Sequence, residues 1–422
     1  MKRHSLFFSL VIYNVATYFI YLWGTIVYEY NNIILMSILL LIYLISFSSG
    51  YFLNQAFIVE KKIIKPIGDK KLVLFFCFCS VISIVSSVYL SLSLMVHGES
   101  IKNLIMMVLT EPQVLYYRNV AMENQSTIFS QLSTLLSPLS YLSLPLGVIL
   151  WKWKKLRCHH KSLLIITFLF QIISYMLKGT NFGIFVAFLS LSVALYNVNF
   201  STKKVLCIII VCLIPVLYFL YGIYLRVGVS SIQSSILGLD IDVHHPLFNL
   251  PQYISIPLTL GASYFSQGYH GFDLVLSRDL DINLGFSRFF IEKLNLILDY
   301  DLWKETYQYK INSVWDMNVH WHTAYVWFAN VFGFFGVAFF MFFCGSVFNS
   351  IVISSFEHRD LINKVLVPLL ILWGLFLPAN NVLFSTPYTC VAFVAIYIIR
   401  RLSVSVYLLR LSTKTVNCNV IT

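Results

Sequence analysis

The sequence predicts an all-α polytopic membrane protein, a transmembrane helical bundle of about ten spans with one large extracytoplasmic loop. Three observations carry this. Hydrophobic residues make up 59% of the 422 and charged residues only 11%, against roughly 25% charged in a soluble domain. So few charges cannot cover a water-facing surface. Apolar runs of about 20 residues, the length that crosses a hydrocarbon core, recur along the chain. Runs such as Ile33–Leu53 show none of the period-two alternation of a membrane β-barrel, the one other architecture that satisfies its backbone in lipid.

The runs place spans at about 5–28, 33–53, 72–96, 131–151, 162–177, 181–198, 205–225, 322–353, 365–384 and 386–400. The last two are separated by almost nothing, so a helical hairpin is the alternative there. Met1-Lys2-Arg3-His4 before an apolar run imitates a signal peptide. That run is too long for one and no A-x-A-like site follows, so it reads as an uncleaved first helix. The chain then divides into residues 1–225 with seven spans, a large outer loop at 226–321, and residues 322–422 with three spans and a cytoplasmic tail.

Charge fixes the orientation. The formal net charge is +11, but the basic residues form short clusters between apolar runs rather than one surface, which excludes nucleic acid as partner. With the N-terminus in the cytoplasm, 20 of the 29 basic residues fall inside, as the positive-inside rule requires. Both termini are then cytoplasmic. Most of the eight cysteines, such as Cys77, Cys79, Cys207, Cys212, Cys344 and Cys390, sit within or beside apolar segments. They read as small packing residues rather than a disulfide framework.

Two outer segments stand out, 97–130 and 226–321, because loops of such length are usually functional. The second carries an apolar patch, Ile254–Leu260, flanked by Pro251 and Pro257, which suits a segment lying on or dipping into the membrane surface. It also holds Asp240-Ile241-Asp242, Asp279-Leu280-Asp281 and Asp299-Tyr300-Asp301. Such pairs can hold a metal on a sugar nucleotide, but ten acidic residues in one loop give them by chance, and sugar nucleotides are cytoplasmic. No metal and no cofactor is therefore expected.

Cationic groups near the outer face carry more information. Lys178 lies between the fifth and sixth spans, Arg226 ends the seventh, Arg118 lies in the first outer loop, and Arg278 and Arg288 lie in the second. Residues 227–319 hold five basic and ten acidic residues, so some of these arginines neutralise local acids. The others are candidates for an anionic ligand, since guanidinium binds phosphate oxygens through a planar fork. The loop is also rich in aromatic rings, which suit interfacial belts and stack equally well on sugar faces. His320-Trp321-His322-Thr323 leads into the eighth span, and imidazole is the side chain best poised to take a proton near neutral pH. Gly179-Thr180-Asn181-Phe182-Gly183 suits close helix packing, or an oxyanion at exposed backbone beside Lys178.

Several of these patterns resemble bacterial O-antigen polymerases, the Wzy-type enzymes that join oligosaccharide repeat units. They are Lys178-Gly179-Thr180-Asn181, Tyr264-Phe265-Ser266-Gln267-Gly268-Tyr269-His270-Gly271, and His320-Trp321-His322-Thr323 leading into Trp327-Phe328-Ala329-Asn330. Two positions depart from the pattern: Phe182 stands where a basic residue is common, and Val331 where an acidic one is.

The resemblance implies a glycosyltransferase of the bacterial inner membrane. Its donor would be a growing glycan on undecaprenyl pyrophosphate and its acceptor a new lipid-linked repeat unit, with membrane lipids and a chain-length regulator protein as partners. His322 is the first candidate for the base, since His-Thr-x-Tyr-Val roughly matches a pattern of the related O-antigen ligases, and His320 is the second. Arg226, Lys178, Arg118, Arg278 and Arg288 would bind pyrophosphate. Tyr269 and His270 would orient sugar. An O-antigen ligase and a lipid-linked oligosaccharide flippase or transporter are the competing readings.

Overall fold

The computed structural model describes residues 4–53, 69–96, 101–110, 114–115, 132, 135–153, 155–177, 181–196, 213–214, 216–218, 220–221, 235–236, 239–279, 281–317, 320–357 and 361–402. Among them the longer helices are α1 (Ser5–Trp23), α2 (Ile33–Leu53), α3 (Asp69–Val96), α4 (Ile101–Thr110), α5 (Ser137–Lys152), α6 (Cys158–Leu177) and α7 (Asn181–Tyr196). After a two-residue antiparallel pairing of Ser235–Ile236 with Leu239–Asp240 come α8 (Gln252–Val275), α9 (Arg288–Leu298), α10 (Ala324–Glu357), α11 (Leu361–Phe376) and α12, residues 387–402.

Five of these helices, α1, α2, α3, α6 and α10, are long and apolar enough to cross a membrane. Their exposed surface is apolar. Helix α1 exposes Phe8, Ile12, Val15, Phe19 and Trp23, three or four residues apart and so on one face, while burying Phe7, Leu10, Thr17 and Tyr21. Helix α10 exposes Phe332, Phe335, Phe339 and Phe343 in the same way. Contiguous apolar stripes of this extent belong against lipid rather than water. The protein is an all-α, membrane-embedded bundle.

Two groups of helices share one core. Helices α1, α2, α8 and α10 form the first and α3, α5, α6 and α7 the second; α11 packs against members of both. Almost every residue of α11 from Asn363 to Phe376 is buried, as befits a helix that is apolar all round. Helices α2 and α10 lie closest. A methyl group on Gly50 would overlap the Phe342 carbonyl, and one on Gly345 would overlap the Phe47 carbonyl. Absent side chains let the backbones approach, which is how membrane helices gain dispersion energy without a hydrophobic drive. The Tyr43 hydroxyl crosses the same seam to the Phe334 carbonyl at 2.7 Å.

The spans expected at 33–53, 72–96, 162–177 and 181–198 correspond to α2, α3, α6 and α7 within a few residues at each end. Two expected boundaries are corrected. Helix α1 stops at Trp23 rather than Tyr28, because the chain turns extended: Val27 N donates to Asp240 O and Asp242 N to Thr25 O, pairing Ile26 with Ile241. Helix α5 begins at Ser137 with Pro138 in its first turn, where proline's missing N–H costs nothing; the expected fourth span also includes Leu132 and Leu135, helical residues ahead of a turn at Leu136. The ninth ends at Phe376 rather than 384. Pro378 offers no N–H and disfavours helix at Leu377, and a turn and the short helix Val382–Ser385 follow before α12. The expected span at 205–225 lies mostly outside the described residues.

Helix α8 contains the patch Ile254–Leu260. Ile256 and Leu260 are buried while Ile254 and Leu258 are exposed. The helix packs along α1 and ends by fastening α2: Asn31 N and Asn32 N each donate to the buried Asp273 carboxylate at 2.7 Å. Asp273 thereby satisfies donors just ahead of α2's first turn, where a negative charge also suits the helix dipole.

Gly345→Val places a branched side chain where two backbones touch. Overpacking of this kind costs about 1–3 kcal/mol. The melting temperature in detergent should fall by several degrees, whereas Phe339→Val, on the lipid-facing stripe, should leave it nearly unchanged.

Candidate functional site

Helix α8 presents Tyr264, Gly268 and Gly271 at helical spacing toward the extended segment 321–323. At Gly268 a methyl would overlap the Pro378 carbonyl; at Gly271 it would lie 2.8 Å from His322 Nδ1 and 3.0 Å from Trp315 Nε1. The glycines therefore let the helix backbone approach the His322 turn directly. Thr323 N donates to Gly268 O at 3.3 Å, and Ala324 N donates to Leu377 O at 2.9 Å. These bonds hold the turn between α8 and the end of α11. Tyr264 packs on Trp321 with centroids 4.1 Å apart.

His322 is 2% exposed, and neither of its ring nitrogens has a hydrogen-bond partner within the protein. The Thr323 hydroxyl and His270 Nδ1 are buried and unpartnered as well. Each unmatched buried polar atom costs about 1–3 kcal/mol, and such groups are rare enough in native proteins to require a reason. Burial, and then the neighbouring His320, lower the His322 pKa to about 3. Burial and His320 lower that of His270 to about 4. Both rings are neutral at physiological pH, and a neutral imidazole can accept a proton. An anion bound alongside would raise these pKa values toward the neutral range.

The surrounding rings form a connected row. His270 stacks on Tyr28 at 5.0 Å and meets Trp315 edge-on at 4.7 Å. Trp315 stacks on His320 at 4.0 Å and donates its Nε1 hydrogen to Trp321 O at 3.2 Å. His270, His320, Trp321 and Tyr264 are half-buried, so parts of their faces remain accessible. Burial lowers the His320 pKa, against the opposing pull of Asp316.

Of the nine site residues expected from sequence, the structure brings together His322, His320 and His270. Tyr269 adjoins them from α8, but its side chain points into the bundle, with its hydroxyl 3.1 Å from that of Thr17 and donating to Asn14 O at 3.3 Å. Its ring is a fully buried anchor between α8 and α1. Arg278 and Arg288 are exposed. Arg288 Nε donates to Glu292 Oε1 at 2.9 Å across one turn of α9, an exposed pair of the weak, solvent-screened kind. Arg118, Lys178 and Arg226 lie outside the described residues, as does Gly179. Gly183 is pressed against the Tyr175 ring, the close-packing alternative for that motif. The acidic pairs have local tasks: Asp281 pairs with Lys310 at 2.5 Å, Asp242 accepts from His244 N, and Asp301 accepts from Trp303 N. Among the described residues no three His, Cys, Asp or Glu side chains gather as a metal ion would need.

Sequence reasoning missed the residues that hold the outer segment in place. Asn330 is fully buried; its Nδ2 donates to Gly285 O at 2.8 Å and to Gln308 Oε1 at 3.0 Å, and its Oδ1 accepts from Tyr307 N at 3.0 Å. Asn381 Nδ2 donates to Phe286 O, and Ser287 Oγ to Phe384 O. An asparagine inside Trp-Phe-Ala-Asn, at the start of an apolar run, was the available signal. Helix α10 breaks soon afterwards at Gly333, whose φ of 64° is left-handed. The break deprives Asn330 O of a helical donor, and Asn283 N supplies one at 2.6 Å.

Comparison with protein-family models, curated proteins and solved structures finds no match to this chain. Any functional assignment therefore rests on the site's own geometry and on the motifs.

A depressed histidine pKa destabilises the fold in acid. The unfolded ring takes its proton near pH 6.5 while the folded ring resists until about 3. Stability is fully present above pH 6.5 and declines as pH falls from there toward 3. For one such ring the loss between pH 7 and 5 is about 2 kcal/mol. The wild type should show a clear drop in melting temperature over that interval, and His322→Gln a smaller one. An equal drop in both would show that His322 is not buried and neutral.

Proposed function

We propose that the protein is an oligosaccharide repeat-unit polymerase of the bacterial inner membrane. It would cross the membrane about ten times with both termini cytoplasmic, leaving residues 226–321 as the large outer loop. It would transfer a growing glycan from undecaprenyl pyrophosphate onto a new lipid-linked repeat unit. One observation carries the reading: two of the three motifs that resemble such polymerases, Tyr264–Gly271 and His320–Asn330, meet through Gly268, Gly271, Thr323 and His322. The meeting leaves a buried imidazole without protein partners beside the half-buried rings of His270 and His320, which pack on the buried Tyr28 and Trp315.

The chemistry suits these residues. An acceptor hydroxyl attacks the anomeric carbon of the donor; the new C–O bond forms as the bond to pyrophosphate breaks, and the lipid pyrophosphate leaves with the bonding pair. The hydroxyl proton goes to His322, with His320 as second candidate. A positioned base of this kind contributes about 100-fold or more. Negative charge grows on the departing pyrophosphate, and fixed cations stabilise it; Arg226, Lys178, Arg118, Arg278 and Arg288 are the groups proposed for this. The half-buried rings of Tyr264, His270, His320 and Trp321 suit sugar faces, and His270 would orient the acceptor. Tyr269 would act from within, by holding α8 in place.

A transporter reading has one observation in its favour, the broken helix α10. Transporters build their sites from helices interrupted at membrane depth, and Gly333 lies about 14 Å along α10 at 1.5 Å per residue. Against it, the carbonyl at Asn330 is closed by Asn283 N within the protein rather than left free to coordinate a ligand.

His322→Ala should leave single repeat units on the acceptor and no ladder on a polysaccharide gel; an unchanged ladder excludes this base. Arg226→Ala, at normal protein level, should shorten or abolish the ladder, and unaltered chain lengths would remove Arg226 from the pyrophosphate site. A deletion strain should still display one capped repeat unit. Display of none would favour the transporter or the ligase.

A further inference from the structure

Helix α9 turns one side to the protein and leaves the other exposed. Inward it sets Ile291, which is fully buried, and Asn295, whose Oδ1 accepts from Leu302 N at 3.0 Å. At its start Ser287 Oγ accepts from Phe290 N and donates to Phe384 O at 2.8 Å. That bond pins the helix to the turn between α11 and α12. Outward it shows Phe290 and Ile297, seven residues apart and so on one face, at 38% and 76% exposure. At about 100° per residue, Arg288 and Glu292 fall on the opposite side, and both are exposed.

The exposed apolar face borders the lipid-facing stripe of α10. Phe286, just ahead of α9, meets Phe290 at 5.9 Å, Phe332 at 6.5 Å and Phe340 at 6.0 Å. Phe332 belongs to that stripe, and Phe340 adjoins its member Phe339. A second link lies a few residues upstream. Asn283 N bonds Asn330 O, and the neighbours of Asn283, Ile282 and Leu284, are 71% and 53% exposed. The apolar surface of α10 thus continues through Leu284 and Phe290 to Ile297. Its α10 part lies against hydrocarbon, and a patch continuous with it belongs in the same medium.

The charges fit that placement. Lys293 borders the exposed face and holds its ammonium 5.9 Å from the centre of the Phe289 ring. Its stem can then follow apolar surface while its charge stays at the edge, as lysines do where hydrocarbon meets water. A helix with apolar side chains on one face and charged ones on the other lies in the plane of a membrane interface.

We propose that α9 is an interfacial helix, set in the outer surface of the bilayer. Phe290 and Ile297 lie among acyl chains, with Arg288, Glu292 and Lys293 at the level of the phospholipid headgroups. Its partner is the phospholipid surface, not a second protein. Residues 282–298 are then held from two sides, by lipid and by the bonds to Asn330 and Phe384. Because Asn330 lies in the first helical stretch after the His322 turn, this anchor fixes the outer segment beside the candidate site. The proposal holds whatever that site transfers.

The test uses the full-length protein in vesicles of phosphatidylethanolamine and phosphatidylglycerol. p-Acetylphenylalanine is placed singly at Phe290, Ile297 or Glu292 and coupled to a nitroxide. Collision with dissolved oxygen is read relative to collision with a soluble nickel chelate. The ratio should be about threefold higher at 290 and 297 than at 292, as a face in hydrocarbon differs from one at the headgroups. A ratio at 290 and 297 no higher than at 292 overturns the proposal. So does spin–spin broadening at 297, the mark of a second copy on this face. Should a label prevent folding, wild type in vesicles carrying a diazirine-tailed phospholipid decides. Adducts within 288–298 support the anchor; adducts along 335–343 with none in 288–298 overturn it.

Discussion

Where the glycine face of α8 meets the extended segment 321–323, two backbones come close enough for Thr323 N to reach Gly268 O. Such proximity excludes water and side chains alike. Gly271 leaves room for the imidazole of His322 and for the edge of Trp315; any larger residue would displace one of them. The same helix continues one turn to Asp273, which holds the start of α2 through Asn31 N and Asn32 N. Through Tyr269 it is also fixed to α1 at Thr17 and Asn14. One helix therefore sets the position of α1, α2 and the His322 turn together. The α2–α10 seam supplies the counterweight, because Gly50 and Gly345 admit no slack there.

The electrostatic character of the site follows from this closeness. A histidine sealed against glycine backbone keeps neither its hydration nor a carboxylate partner, so it stays neutral. Leaving both nitrogens unmatched works against stability, and an arrangement of that kind is one that a fold retains at functional positions. An anionic substrate would change the balance, since a negative charge nearby favours the protonated ring. The site as built is thus set to become more basic when its proposed pyrophosphate substrate is in place, and a weak acceptor otherwise.

Much of the fold was legible in the sequence because long apolar runs carry their own boundaries. Helix α2 runs over the expected residues 33–53, its start marked by Asn31-Asn32. What was not legible depends on partners distant in sequence. Helix α1 ends early because residues 25–27 pair with 240–242. The break at Gly333 is tolerable because Asn283 replaces the lost donor. Pattern also showed His322 and His270 as candidates but could not show that they meet, nor that Tyr269 faces inward. Asn330 looked like part of a motif; its hydrogen bonds show that it pins residues 285 and 307–308 to α10.

The central claim is that the face of α8 and the segment before α10 form one site. A paired-cysteine experiment tests it directly, using Tyr264→Cys with Trp321→Cys, whose parent rings lie 4.1 Å apart. A protease site inserted near Tyr300, exposed between the two positions, allows the chain to be cut in membranes after treatment with a short bifunctional methanethiosulfonate, which bridges two nearby thiols reducibly. The account predicts that the two fragments stay joined on a denaturing gel until reductant is added. Fragments that separate without reductant, in protein that is folded and inserted, would contradict it.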